Sequence, residues 1–251
     1  MKKLAMYGFA ALLLSQAAGC IIYDNRGRGG HGPIDGEDAL ITARWTFKDE
    51  ATQTLTGCPA GFNTVAVHSF PVDTEGQRIG DDVIDLFDCI DGGGTTGGLY
   101  PDVYGTFLRV TNASGSKVYA EGLSATVDII ERDATVDTTI LNDGGYFAMS
   151  WDLVGASSNA RLQCNQVDGL AGIELISTSV ATPDSAISDK FTCGDHVGVT
   201  GGLVQGSYTV SIAALGAGDR AVGTAPAVTK TINDRNAVTD LGHILIPIDG
   251  K

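Results

Sequence analysis

Basic side chains are scarce in this chain. Its 16 lysines and arginines face 30 aspartates and glutamates, for a net charge of -14 over 251 residues. A surface of that sign repels phosphate backbones and anionic headgroups, which excludes a nucleic-acid-binding role. Beyond residue 19 no apolar run is long enough to form a membrane-spanning helix. No two of the 5 cysteines stand at the close spacing of zinc ligands, and His31, His68, His196 and His243 are scattered. The G-x-S-x-G elbow, the phosphate-binding loop and the H-E-x-x-H pair are all missing. Gly92 to Gly98 is glycine-rich but lacks the lysine and following helix that phosphate binding requires, and reads as a flexible loop. A sustained 3.6-residue apolar period is absent too, which argues against a helical bundle. Nothing here marks an enzyme.

What the chain does have is a tandem duplication. Ala43-Arg44-Trp45 returns as Met149-Ser150-Trp151, and the interval from Trp45 to Cys58 equals that from Trp151 to Cys164. A second cysteine follows in each copy, Cys89 and Cys193. Thr-Gly-Gly-Leu then recurs at Thr96 to Leu99 and Thr200 to Leu203, and a tyrosine stands five residues on, at Tyr104 and Tyr208. Arg132-Asp133-Ala134 near the end of the first copy is echoed by Arg235-Asn236-Ala237. Each copy has the length of one small domain.

The first nineteen residues read as an export signal: Lys2 and Lys3, an apolar stretch from Leu4 to Leu14, then Ala17-Ala18-Gly19-Cys20. That ending resembles the lipobox of bacterial lipoproteins, although Ala17 stands where leucine is usual. The resemblance implies that Cys20 becomes the lipid-modified (palmitate-bearing) first residue. Ile21, rather than an aspartate, follows it, which in Gram-negative lipoproteins implies the outer membrane. Loss of Lys2 and Lys3 with the leader makes the chain more acidic still. With Cys20 assigned to lipid, Cys58, Cys89, Cys164 and Cys193 remain. Four cysteines allow three pairings. The repeat favours Cys58–Cys89 and Cys164–Cys193, each closing a loop of about thirty residues and contributing roughly 3–4 kcal/mol on the chain-entropy model.

The organisation expected is a signal peptide at 1–19, a flexible tether at 20–37 carrying Arg26 and Arg28, and repeats at 38–142 and 143–251. Ile41, Ala43, Trp45 and Phe47 alternate with Thr42, Arg44 and Thr46, the period-two pattern of a half-buried strand. Similar stretches recur through both copies between turn signals such as Asn112-Ala113-Ser114-Gly115. The fold class expected is all-β, two tandem antiparallel β-sandwich domains with one disulfide each, the tryptophans in their cores. A short helical piece is allowed near Asp82 to Phe87.

Tyr104 and Tyr208 each open a strand just after a loop, where a ring packs inward and its hydroxyl reaches loop backbone. The run from Leu203 to Val210 resembles the loop-to-strand corner of immunoglobulin-like, transthyretin-like and carboxypeptidase-regulatory-like sandwiches. The first copy departs from it, with Asp102 in place of the glycine. Both tryptophans precede both cysteines, unlike the order in antibody domains.

One stretch stands out for ligand chemistry. Asp81, Asp82, Asp85, Asp88 and Asp91 offer closely spaced carboxylates of the kind calcium prefers, without the ligand spacing of an EF-hand. The function expected is a non-catalytic cell-envelope lipoprotein. It reaches the membrane through its lipid and binds an unknown envelope protein or polysaccharide, or acts as a spacer. A calcium-dependent adhesion module is the alternative, followed by a hydrolase with an unrecognised site. Apart from calcium in the second reading, no cofactor is implied.

Overall fold

A computed structural model describes residues 38–251. The leader, the tether and Cys20, with the lipidation expected there, lie outside the described residues. Among these residues no helix is long and apolar enough to cross a membrane.

The first copy contains strands β1 (Ile41–Asp49), β2 (Thr54–Thr56), β3 (Thr64–Pro71), β4 (Val83–Asp88), β5 (Gly93–Thr95), β6 (Val103–Thr111), β7 (Val118–Glu121), β8 (Ala125–Asp128) and β9 (Ala134–Leu141). The second contains β10 (Gly144–Gly155), β11 (Arg161–Leu162), β12 (Gly172–Ser179), β13 (Ala186–Phe191), β14 (Val197–Val199), β15 (Leu203–Val204), β16 (Gly206–Leu215), β17 (Ala221–Thr224), β18 (Val228–Ile232) and β19 (Val238–Ile248). The pairing repeats, except that β15 of the second copy stands where the first copy has only the Ala39–Leu99 bridge. In the first copy β1 joins β2, β5 and β9, while a second layer runs β4-β3-β6-β7 with β8 also on β6. In the second copy β10 joins β11, β14, β15 and β19, while β13-β12-β16 with β17 and β18 forms the other layer. A single residue pair, Gly223 with Ile248, links these two layers at one corner.

The all-β reading therefore holds, with one refinement. The first and last strands of each copy, β1 with β9 and β10 with β19, run parallel. The short helix allowed near Asp82 is not formed. That stretch is strand β4, followed by a 3-10 turn at Cys89–Asp91. Val83 and Ile84 are β-branched, and Asp85 and Phe87 share a face directed inward, so the period is two. The Gly92 to Gly98 segment is likewise no free loop, because Gly93–Thr95 pairs with Thr42 to Arg44 of β1.

Both predicted disulfides are present, Cys58–Cys89 and Cys164–Cys193. They sit beside the tryptophans. Trp45 and Trp151 are buried, and each indole N–H donates to the carbonyl of the second cysteine of its own copy, at 2.8 Å to Cys89 and 3.3 Å to Cys193. Phe87 leans on Trp45 with ring centroids 6.2 Å apart, and Phe191 leans on Trp151 at 5.8 Å. The phenylalanine rings lie against Gly94 and Gly198, where any Cβ would collide with them. That contact accounts for Gly94, one of the glycines that made the first segment look like a loop.

The copies touch closely. Only Asn142 and Asp143 separate β9 from β10. The Asp143 carboxylate accepts from the backbone N–H groups of Glu50 and Ala51. Asn236, only 2% exposed, reaches from the second copy into the first: its Oδ1 accepts from Leu141 N at 2.8 Å and its Nδ2 donates to Glu121 O at 2.8 Å. The Tyr146 hydroxyl lies 3.3 Å from the same Oδ1. Burial, with a smaller contribution from the Glu50 carboxylate, pushes that phenol up to about 12, so it remains a donor throughout the neutral range. Arg235 adds a guanidinium 5.0 Å from the centroid of the Tyr119 ring.

Replacing Asn236 by Ala strips the buried Leu141 N–H and the part-buried Glu121 carbonyl of their partners, a loss of about 1–3 kcal/mol. Calorimetry of Asn236→Ala is expected to show a lower melting temperature with the unfolding of the two halves pulled apart; an unchanged profile would show that the junction contributes nothing.

Candidate functional site

A duplicated chain carries its own control. Features kept in both copies are scaffold, and the ones that differ at equivalent positions are where separate tasks are to be sought. The kept set extends beyond the disulfide and tryptophan. Asp85 Oδ1 accepts from Gly97 N at 3.0 Å, and Asp189 Oδ1 accepts from Gly201 N at 2.8 Å. Thr96 Oγ1 accepts from Ile41 N, as Thr200 Oγ1 does from Phe147 N. Tyr104 donates its hydroxyl proton to Tyr100 O at 3.0 Å, and Tyr208 does the same to Val204 O at 2.8 Å, the loop-backbone contact expected at these corners. These bonds pin the glycine-rich strands and loops to the sandwich.

The five aspartates singled out in the sequence do not converge. Asp81 and Asp91 are exposed, and Asp88 is exposed at the end of β4. Asp82 faces His68 and Arg78, at 3.3 and 3.1 Å. Asp85 turns the other way, to Gly97. Strand geometry causes this, since residues an odd number apart lie on opposite faces. Among the described residues no group of three or more His, Cys, Asp or Glu is arranged to hold a metal ion.

A polar cluster invisible in the sequence lies on the second copy. Ser150 Oγ is 3.0 Å from His243 Nδ1, and His243 Nε2 is 3.2 Å from Asp152 Oδ2. The order resembles a serine nucleophile with its base and orienting carboxylate. The surroundings do not complete it. Asp152 is also held by Arg161 at 2.9 Å, and His196 lies 3.8 Å from its other oxygen. Ser150 sits in mid-sheet, paired with Val197 on one side and His243 on the other, so its strand offers no run of free N–H groups to receive an oxyanion. Arg44 and Asp137 form an ion pair at the equivalent place in the first copy. The cluster is a cross-strand ladder of the kind neighbouring strands produce.

The largest divergence lies on β4 and the sheet behind it. Among the described residues both β4 and β13 are edge strands, paired on one side only, to β3 and β12. Their inward residues match, Asp85 with Asp189 and Phe87 with Phe191. Their outward residues do not: Ile84 and Leu86 of the first copy are Ser188 and Lys190 in the second. Ile84 is 51% exposed and Leu86 67%, with Val83 beside them at 43%. Lys190 is ion-paired with Asp219 at 2.8 Å, and that hydrogen bond raises the ammonium group above its usual range, so a charged side chain is held at this edge. The apolar track of β4 continues to Ile90, 87% exposed, beside an open cavity of about 380 Å3 lined by Pro59, Phe62, Asn63 and the Cys58–Cys89 bridge.

Behind β4 the outer sheet face is aromatic in the first copy only. His68 stacks on Phe107 with centroids 4.5 Å apart, and Phe70 lies 6.3 Å from Phe107. The Arg78 and Arg109 guanidinium groups lie 5.1 and 5.4 Å from the Phe70 and Phe107 ring centroids. Arg109 is in turn fixed by Glu121 at 2.6 Å. The corresponding second-copy positions, read from the strand registers, are Ile176, Thr178 and Ser211.

No protein-family model matches the chain, and no curated protein matches it. Among solved structures it is similar to a leucine-rich repeat protein from Bacteroides thetaiotaomicron, with a TM-score of 0.36 and 10% identity over 84% of this chain and 26% of that one. It is similar as well to a minor pilin of Streptococcus agalactiae, with a TM-score of 0.31 and 11% identity over 85% of this chain and 98% of that one. A fimbrial anchor protein of Porphyromonas gingivalis gives a TM-score of 0.27 and 12% identity over 70% and 78%. The chain thus spans 26% of the length of the first of these structures. Likenesses this distant carry no functional argument, and the β-sandwich assignment stands on the strand pairing described above.

Two expectations follow from the carboxylates. Burial raises the Asp189 carboxyl above its ordinary 3.8, with the Gly201 N–H pulling it part of the way back. The ionised form therefore costs stability: the cost is absent below the ordinary value and complete once the pH has risen past the elevated one. Asp189→Asn, which keeps the acceptor for Gly201, is expected to melt higher than wild type near neutrality, with the gap closing toward about pH 4; a gap that widens on acidification would contradict this. Millimolar calcium is expected to leave the wild-type melting curve where it is, because the five aspartates of the first copy are dispersed; a rise would show that they gather around the ion.

Proposed function

We propose that this chain is a non-catalytic, lipid-anchored envelope module whose first β-sandwich binds a protein or polysaccharide partner while the second supports and spaces it. The observation that carries the reading is the apolar track Val83, Ile84, Leu86 and Ile90, exposed in the first copy and replaced at its two outward strand positions by Ser188 and Lys190 in the second. Water-facing apolar side chains in a row mark an interaction site rather than scattered surface residues. The anchor rests on the lipobox at Cys20, and the outer membrane on Ile21 after it. Two disulfides suit an oxidising compartment outside the cytoplasm. The tight junction through Asn236 and Asp143 suits a support whose far end must not swing freely.

Two experiments test this. A photo-crosslinking residue placed at Leu86 in intact envelopes is expected to capture a partner that the same residue at Lys190 does not, with capture falling when Cys20→Ala removes the anchor. Equal capture from both positions, or none from Leu86, would count against a binding role for the first copy. A fluorophosphonate probe is expected to leave Ser150 unlabelled; labelling lost in His243→Ala would instead make the second copy a hydrolase.

A further inference from the structure

The inference here deepens the binding reading and rests on it. From the edge geometry we infer that β4 is a docking edge for an added β-strand from a protein partner, one with alternating apolar side chains and lysine or arginine at both ends.

Four observations lead there. First, among the described residues β4 is the last strand of its sheet, paired to β3 alone, so its outer backbone N–H and C=O groups have no strand partner there. An exposed edge is a template for pairing, and proteins that must avoid it place a lysine or another charge there. The second copy does so with Lys190, whereas the first has Leu86 at the same register position. Second, β4 is held firmly from within. Phe87 leans on Trp45, Asp85 is bonded to Gly97, and Cys89 is cross-linked just past its end. A fixed edge loses little conformational freedom when a partner arrives. Third, the cavity beside Phe62 and Ile90 lies at the C-terminal end of β4, where it can receive one side chain of the incoming strand. Backbone pairing with pockets for selected side chains is the general form of recognition by strand addition.

The fourth observation is charge. Exposed Asp81 precedes β4, and exposed Asp88 and Asp91 lie at its other end. Pairing β4 with the β4 of a second copy, antiparallel, would bring Asp81 of each chain toward Asp88 and Asp91 of the other. Like charges set opposite each other across strands are destabilising. The edge is therefore protected against itself and complementary to a strand with basic ends. A polysaccharide is the weaker fit. Sugars stack on bare aromatic faces, and the rings behind β4 are already occupied: Phe107 by His68 and Arg109, Phe70 by Arg78.

The test uses the purified full chain and three probes: the peptide Lys-Val-Thr-Val-Thr-Val-Thr-Val-Lys, its counterpart with glutamate at both ends, and a neutral oligosaccharide mixture. Titration and hydrogen–deuterium exchange are read together. The basic-ended peptide is expected to bind at least about tenfold more tightly than the acidic one, and to slow amide exchange in Val83–Asp88 and not in Ala186–Phe191. The double variant Ile84→Ser with Leu86→Lys, which installs the second-copy residues at exposed positions, is expected to lose both effects while melting as wild type does. Failure of the basic-ended peptide to bind, equal binding of the two peptides, protection away from β4, or association of the chain with itself through β4 would each overturn the inference. Oligosaccharide binding without peptide binding would overturn it too and leave the broader binding reading standing. That broader reading fails only on the crosslinking result.

Discussion

An edge strand can be fixed by one face and one side, and whatever remains meets water. On that constraint the account of this molecule depends. Phe87, Asp85 and Cys89 tie β4 into the sandwich through Trp45, Gly97 and Cys58, and the same three ties recur in the second copy. Once the inward side is committed, Ile84 and Leu86 have nowhere to go but outward. Their free-energy cost in water, on the order of 1.5–3 kcal/mol for each large aliphatic side chain left unburied, falls on a strand that is already hydrogen-bonded and cross-linked, so the fold tolerates it. A weaker attachment would let β4 fray, and the exposed row would be a liability instead of a surface.

Duplication separates scaffold from surface with unusual clarity. The disulfide, the indole-to-carbonyl hydrogen bond, the aspartate-to-glycine bond, the threonine contact and the tyrosine corner survive in both copies, and all of them face inward or close a loop. Divergence is concentrated on outward positions. One copy has gained an aromatic and guanidinium face with an apolar edge. In the other the same edge carries a charged lysine and a serine, and a histidine and serine ladder has arisen on its opposite sheet. The junction has specialised as well: Asp133 of the first copy caps Leu40 within its own half, whereas Asn236, its counterpart, bridges the halves.

Much of the scaffold was legible in the sequence, and most of the surface was not. Period-two alternation in Ile41 to Phe47 and its echo at Phe147 to Leu153 identify the central strands because those residues are buried on one face only. The repeat selects the cysteine pairing, and the placement of Tyr104 and Tyr208 anticipates their hydroxyl contacts. By contrast, β4 resists reading because Asp85 takes an inward position where an apolar residue is expected and Ile84 takes an outward one, so hydropathy no longer reports the face. Gly93–Thr95 reads as a loop until Phe87 is seen lying over Gly94. The parallel pairing of first and last strands leaves no local signature, since the two partners stand some ninety residues apart, as Ile41 and Ala134 do. Ser150, Asp152 and His243 are likewise joined only by strand register. The five aspartates are close along the chain, and a strand splits such a series between two faces.

The central claim, that the first copy's edge is occupied in its native setting and the second copy's is not, is tested most directly by comparing amide exchange in the chain within the cells that produce it with exchange after purification. The account predicts that Val83–Asp88 exchanges more slowly in the cellular sample and that Ala186–Phe191 is the same in both. Identical exchange of Val83–Asp88 in the two samples, or slowing confined to Ala186–Phe191, would contradict it.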